Sequence, residues 1–408
     1  MISYEQAISI IRAEGQKASL NPEAVPVDQV AGRHAAQDII SSMANQPFDN
    51  SAMDGFAVRA ADLVNAAAAL PVSLAQAGQI IAGMPAPEDG YQPGTCHEIM
   101  TGAMMPDGYD SIVPVEKITR NDGQIVFTSA VAPGEYVRRA GADIRPGEAI
   151  FKRGDLFTAE HILPLATLGA YTVDVLRRAR VSVISTGNEV VDDLRASLQK
   201  GRIYNSTAPY LRQAVPAAGM ELLSIATVAD DPRLFRQMLE QVVAKGSDII
   251  ITTGAVSAGV HDFVPSVLKE MGADIFFHKV AIRPGRPILF ARLSPSGPFF
   301  VGLPGNPAST SVGLRFFVRP LLRAMQGFGS DAPKKAVLAD DLAIRQPVSL
   351  RLFLRAQTGI NAQGAMQIAI IPGQQSFMVR PFVLSNVWAV LPPDAGSLKK
   401  GDIVDFYD

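Results

Sequence analysis

The 408-residue chain predicts a multidomain α/β protein: a three-layer α/β domain with a largely parallel sheet, a β-rich N-terminal module and a small C-terminal β domain. Three observations carry this. Between about residues 180 and 325, apolar runs of strand length alternate with segments of helical periodicity. On both sides of that region the helical spacing fades, and short apolar runs are separated by Pro-Gly and Asn-Asp-Gly turns. The length itself corresponds to about two to four domains of roughly 150 residues.

The elements follow in order. Ser3 with Gln6 is a capping-box pattern, and Ala7, Ile10 and Ile11 continue it on one apolar face, which predicts an N-terminal helix. From about 70 to 150, runs such as 111–115 and 124–127 lie between the turns Pro93-Gly94, Asn121-Asp122-Gly123, Pro133-Gly134 and Pro146-Gly147. A second helix is predicted over 158–169, with Pro164 in its middle. The α/β stretch offers strands at 181–185, 222–228, 248–252, 288–291 and 299–301, and helices at 208–218, 232–244, 263–271 and 307–325. The tail from about 334 carries the turns Pro372-Gly373 and Pro392-Pro393 and reads as β. The resulting regions are 1–178, with a β-rich insertion at about 50–140, then 179–328 and 329–408.

Composition removes whole classes of function. Hydrophobic residues make up 48% and charged residues 19%, so the chain folds rather than remaining disordered. With 37 Lys and Arg against 39 Asp and Glu, the net charge of −2 provides no bulk field for nucleic acid or an anionic membrane. Any anion site must therefore be local. Cys96 is the one cysteine, which excludes an intrachain disulfide and a thiolate-built zinc site. The five histidines show no H-x-x-x-H spacing. The start lacks the pattern of a signal peptide and no run approaches membrane-spanning length, so a soluble cytoplasmic protein is expected.

In an open parallel sheet, ligands bind beyond the carboxyl ends of the strands. The loops there read Thr186-Gly187-Asn188-Glu189, Ala229-Asp230-Asp231-Pro232, Thr253-Gly254-Ala255-Val256-Ser257-Ala258-Gly259-Val260-His261-Asp262 and Gly302-Leu303-Pro304-Gly305-Asn306-Pro307. Small residues let backbone N–H groups approach an anion, and the hydroxyls of Thr253 and Ser257 can add donors. Glu189, Asp230 and Asp262 offer the hard oxygens that Mg²⁺ takes beside a phosphate, and Lys279, Arg283 and Arg286 lie one strand later. Asp231 before Pro232 reads more simply as a helix N-cap, and Asn306 before Pro307 reads equally as a cap or as part of a site. A Walker A loop, a dinucleotide fingerprint and a G-x-S-x-G elbow are all absent.

Two further segments concentrate chemistry outside the α/β region. Asp49-Asn50-Ser51-Ala52-Met53-Asp54-Gly55 packs two acids, an amide and a hydroxyl before a glycine, which also suits a capped turn. Arg138-Arg139-Ala140-Gly141-Ala142-Asp143 follows a turn, and its bland alternative is a solvated charged loop.

Taken with Met100-Thr101-Gly102-Ala103 and Leu303-Pro304-Gly305-Asn306-Pro307, these segments resemble, in order, the motifs of the molybdopterin molybdotransferases, the MoeA family that includes the gephyrin E domain. The likeness covers nearly the whole chain. It implies that the α/β region is a molybdopterin-binding domain, and that the activity is the last step of molybdenum cofactor biosynthesis. In that step molybdate enters the dithiolene of adenylylated molybdopterin, and Mg²⁺-dependent cleavage of the pyrophosphate bond releases AMP. It further implies a homodimer with an active site shared between subunits, and a molybdopterin adenylyltransferase as the upstream donor. Carried over by position, Asp54, Asp143, Asp230 and Asp262 are catalytic, and Glu189, Asp230 and Asp262 hold the metal. Substrate contacts fall to Ser51, Thr101, Arg138, Thr186, Gly187, Gly254, Ser257, Gly259, Lys279, Arg283, Arg286, Pro304 and Asn306. A scaffold that binds molybdopterin without turnover and an adenylyltransferase are the alternatives. The retained acids oppose the first, and the added N- and C-terminal regions oppose the second.

Three positions depart from the family pattern. Ala255 stands where the loop usually has glycine, which requires Ala255 to keep a negative φ. Arg283 and Arg286 replace the usual lysines and suit bidentate oxyanion contacts. Asn188 replaces a frequent Asp.

Overall fold

A computed structural model describes residues 1–256, 263–344 and 349–408. The chain divides into two compact units, Ala24–Val175 and the combination of Met1–Glu23 with Leu176–Asp408.

The first unit contains a six-stranded sheet in the order Ser111–Pro114, Gly55–Val58, Thr95–Ile99, Val72–Ile80, Gln124–Phe127, Ile118–Asn121. All pairings are antiparallel except Val72–Ile80 with Thr95–Ile99. Gly55–Val58 is buried on both faces, with Phe56 and Val58 in one cluster and Ala57 in another, so its sequence reads as a continuous apolar run. The last hairpin turns on Asp122 and Gly123, both at positive φ (44° and 79°), as a two-residue turn between twisted strands requires. The helix predicted over 158–169 is only Ile162–Thr167. Pro164 lies in its first turn, where a missing N–H costs nothing; a start at 158 would have put it in the interior.

The second unit is built on another six-stranded sheet: Glu221–Val228, Arg180–Thr186, Ile249–Thr253, Phe299–Leu303, Leu289–Arg292, Asp274–His278. The first four are parallel, and Leu289–Arg292 runs antiparallel to both of its neighbours. Five of these strands are those predicted, and Asp274–His278 is additional. Separate apolar clusters cover the two faces, one around Val183, Ile251 and Val301, the other around Ile184, Ile250 and Phe300. The helix predicted over 307–325 runs as Pro307–Gly313, a π-turn at Leu314–Val318, and Arg319–Met325. The wide turn ends two residues before Pro320, which has no N–H to give an α-turn.

The capping box of Ser3 and Gln6 forms, and Tyr4–Gln16 is helical. This helix packs on Arg319–Met325 so closely that a Cβ on Gly15 would stand 2.7 Å from Ala324 Cβ. Met1–Glu23 thus belongs with the α/β unit, whereas the predicted boundaries group it with the N-terminal region. The tail forms a ring of five strands, because Arg351–Ile360 pairs with both Met366–Ile370 and Val387–Leu391. A two-residue strand of the α/β region, Ile282–Arg283, extends that ring by pairing with Arg351 and Leu352. This seats Arg283 between the α/β layers and the tail domain.

Candidate functional site

Three of the strand-end loops meet through glycines. Gly254 follows Ile249–Thr253 at φ 97°, and its N–H donates to the Leu303 carbonyl at 3.0 Å. A Cβ there would lie 2.6 Å from Thr186 Oγ1 and 2.7 Å from the Thr186 carbonyl oxygen. A Cβ on Gly305 would come within 3.7 Å of Gly254 Cα, so the loops after the second, third and fourth strands lie back to back. Gly187 has φ 148°, and a Cβ on it would stand 2.9 Å from Glu189 Oε2.

Two cavities open on this cluster. One, of about 710 Å³, is lined by Arg283, Arg286, Pro304 and Ser309, and by Gln374, Gln375 and Ser376 of the tail domain. The other, of about 490 Å³, is lined by Thr186, Gly187, Glu189 and Asp230. Gly254, Ala255, Gly305, Asn306 and Phe377 line both. One cavity thus presents guanidinium groups and the other carboxylates, with small residues where they adjoin. Arg283 and Arg286 are exposed. The Asn188 N–H donates to the Asp230 carboxylate, and the Asn188 side chain accepts from the Asp230 N–H, each at 3.1 Å.

Glu189 and Asp230 are hard oxygen donors on one cavity, as Mg²⁺ uses when one or two carboxylates join substrate phosphates around it. Among the described residues no group of three His, Cys, Asp or Glu could hold a metal without such help. Asp262, Ser257 and Gly259 lie outside the described residues.

Several predicted roles change. Ala255 has φ 52° rather than the negative value its side chain requires, so a left-handed residue carries a Cβ here. Lys279 lines neither cavity: it sits at φ 75°, its N–H bonded to Ile288 and its carbonyl to the Ile2 N–H. The Thr253 hydroxyl is buried and donates to Ser185 Oγ at 3.0 Å, so it is committed to the fold. Asp231 is the N-cap foreseen, accepting from Arg233 N at 2.7 Å and Leu234 N at 3.3 Å, which lowers its pKa. Asn306 occupies an N-cap position but makes no side-chain cap bond, leaving its amide to the cavities. Gln374, Gln375, Ser376, Phe377 and Ser309 were not foreseen. Only the Pro372-Gly373 turn marked the approach to the first four.

In the unit Ala24–Val175 the two remaining segments and Thr101 also come together. Asp54 accepts from the Thr101 N–H at 2.7 Å and its hydroxyl at 2.8 Å, and these bonds hold its carboxyl below the usual range. Burial pushes the Asp49 carboxyl up, but the Ala140 N–H at 2.8 Å and Arg139 at 2.6 Å outweigh it and lower the pKa. Arg138 is exposed beside Asn50 in a short antiparallel pair, and Asp143 accepts from Asn45 Nδ2 at 2.7 Å. Ser51 is fully buried with its hydroxyl donated to the Met53 carbonyl, a structural role instead of the substrate contact predicted.

Three family models tile the chain: the MoeA N-terminal region (domains I and II) over residues 2–169, a probable molybdopterin binding domain over 182–324, and the MoeA C-terminal region (domain IV) over 335–408. The class is therefore that of molybdenum cofactor biosynthesis proteins built on an α/β molybdopterin-binding domain. Molybdopterin molybdenumtransferases of Synechococcus elongatus and Haemophilus influenzae are 36% and 33% identical, covering 99% and 94% of this chain and 99% and 92% of their own. The crystal structure of a molybdopterin biosynthesis MoeA protein from Pyrococcus horikosii superposes with a TM-score of 0.84 at 29% identity, over 100% of this chain and 98% of that one. The chain belongs to the MoeA family of molybdopterin molybdenumtransferases.

Proposed function

We propose that the chain inserts molybdate into the dithiolene of adenylylated molybdopterin and cleaves the pyrophosphate bond, releasing AMP. The observation that supports this most is the adjoining pair of cavities, one bearing Arg283 and Arg286, the other Glu189 and Asp230. The guanidinium forks suit an oxyanion such as molybdate and the terminal phosphate oxygens. Glu189 and Asp230, with Asp262, would hold Mg²⁺. The bound Mg²⁺ would supply Lewis-acid stabilisation of the charge that develops as the phosphoanhydride breaks.

The chain's own residues do the remaining work. Gly254 and Gly305 let the substrate approach the backbone closely, and by the family likeness Ser257 and Gly259, which lie outside the described residues, contact its phosphates. Thr186, Gly187, Pro304 and Asn306 shape the seat, and the positive charge comes from Arg283 and Arg286 rather than from Lys279, which lines neither cavity. Asp54, Asp143, Arg138 and Thr101 come from the other unit, and in this reading a homodimer brings them to a shared active site. A molybdopterin adenylyltransferase supplies the substrate. No helix among the described residues is long and apolar enough to cross a membrane, and a cytoplasmic location belongs to the same proposal.

The test is direct. Purified protein given adenylylated molybdopterin, molybdate and Mg²⁺ releases AMP and yields active cofactor. AMP release that does not depend on molybdate, or none at all, sinks the reading.

A further inference from the structure

Resting on that reading, we propose that Phe377 is the platform on which the fused heteroaromatic ring of the substrate stacks, with Asn306 reading the ring's edge. Phe377 is 68% exposed although it is a large apolar residue, and it borders both cavities. Its backbone is held: the Ser376 carbonyl accepts from the Ala308 N–H at 3.2 Å, and the Met378 N–H bonds to Gln375 at 3.0 Å. The loop therefore presents the ring from a fixed base beside the first turn of Pro307–Gly313.

The other residues common to both cavities are Gly254, Ala255, Gly305 and Asn306, whose short side chains leave room for a flat ring. Asn306 adds an amide with one acceptor and two donor hydrogens, uncommitted to its helix, which suits the mixed donor and acceptor edge of a purine or pterin. An exposed aromatic ring beside an unpaired amide, where a cationic and an acidic cavity adjoin, is the arrangement expected for a ring attached to a pyrophosphate. Stacking makes Phe377 a positioning residue; it takes no part in bond breaking.

The experiment measures binding of AMP and of a simple pterin separately, since adenine and pterin are both fused heteroaromatic rings. Trp388 is the chain's single tryptophan and is buried, so Phe377→Trp adds an exposed reporter. Its emission should be quenched by whichever ring stacks there. Phe377→Ala should weaken that ligand about 5- to 150-fold, the equivalent of roughly 1–3 kcal/mol for one stacked ring. Phe377→Tyr should restore binding to within about twofold, and the melting temperature should not move in any of the three. Equal affinity of wild type and Phe377→Ala for both rings overturns the platform, as does a wild type that binds neither. The molybdate-dependent AMP assay decides the function independently: release that persists while the platform fails leaves the proposed reaction standing, and its absence removes both.

Discussion

Asn188 and Asp230 are tied by two reciprocal hydrogen bonds of 3.1 Å, the N–H of each residue donating to the other's side-chain oxygen. Asn188 thus positions the Asp230 carboxylate without adding charge to a cavity that already carries Glu189. Asn188→Asp keeps an acceptor for the Asp230 N–H but sets a second carboxylate against the first. Like charges so close raise one pKa and destabilise the folded state unless a cation joins them. The variant should melt about 2–4 °C lower without metal, for a cost of about 1 kcal/mol, and should gain more than wild type from Mg²⁺. Thermal denaturation with and without excess Mg²⁺ measures both. An identical Mg²⁺ response in the two proteins would place the cation elsewhere.

The pair Asp54 and Thr101 predicts a pH effect. The folded carboxyl lies below its usual range because the Thr101 N–H and hydroxyl both donate to it. The stabilisation is therefore fully present above the unfolded pKa and is lost as pH falls through the folded one. Thr101→Val removes one donor and keeps the other, so the Asp54 titration followed by carbon NMR should move up toward the ordinary range. Asp54→Ala should nearly abolish AMP release while the fold persists, its melting temperature lowered by the loss of the two Thr101 bonds. Wild-type turnover in Asp54→Ala would show that this carboxylate lies outside the site.

Legibility in the sequence tracked burial and turn signals together: Glu221–Val228 is a half-buried edge strand, but the turn Ala229-Asp230-Asp231-Pro232 follows it. The strands Arg180–Thr186 and Ile249–Thr253 are almost wholly buried, so they stand out as apolar runs, whereas Asp274–His278 is a half-buried edge strand with no turn signal after it. The strand-end loops announced themselves by small residues and acids in an order that matched a family. Phe377 and its neighbours did not, because closure of a distant five-stranded ring carries them to the cavity. Hydroxyls misled for a different reason: whether Ser51 or Thr253 is available depends on Met53 and Ser185, and residue type carries no such information.

Gly254 and Ala255 are adjacent, both at positive φ, and should respond in opposite ways. Gly254→Ala places a methyl group against Thr186 at φ 97°, with no flexible neighbour able to yield, because the near atoms include the backbone carbonyl. It should cost roughly 2 kcal/mol or more. Ala255→Gly relieves about 1–2 kcal/mol of left-handed strain at φ 52°. The added freedom of the unfolded chain takes back about 0.5–1 kcal/mol, so the net change should be within about 1 kcal/mol. Denaturant midpoints of the two variants provide the comparison. A large loss in Ala255→Gly would mean that its methyl group has a packing role that outweighs the strain.

Arg286 offers the cleanest test of the oxyanion assignment, because it lines the 710 Å³ cavity, is exposed, and holds the fold only through its backbone carbonyl, which accepts from the Val280 N–H at 2.9 Å and survives a side-chain change. Arg286→Gln removes the charge and leaves only a shorter, neutral donor. If Arg286 bonds molybdate, the loss of one charge-assisted hydrogen bond, about 1.5–3 kcal/mol, raises the half-saturating molybdate concentration about 10- to 150-fold. Arg286→Lys keeps the charge and loses the planar fork, so its increase should be smaller and its ratio of molybdate to tungstate half-saturation should shift. Both are read from AMP release at varied oxyanion concentration, with saturating pterin substrate. Unchanged half-saturation in Arg286→Gln, at an unchanged melting temperature, would move the oxyanion out of this cavity.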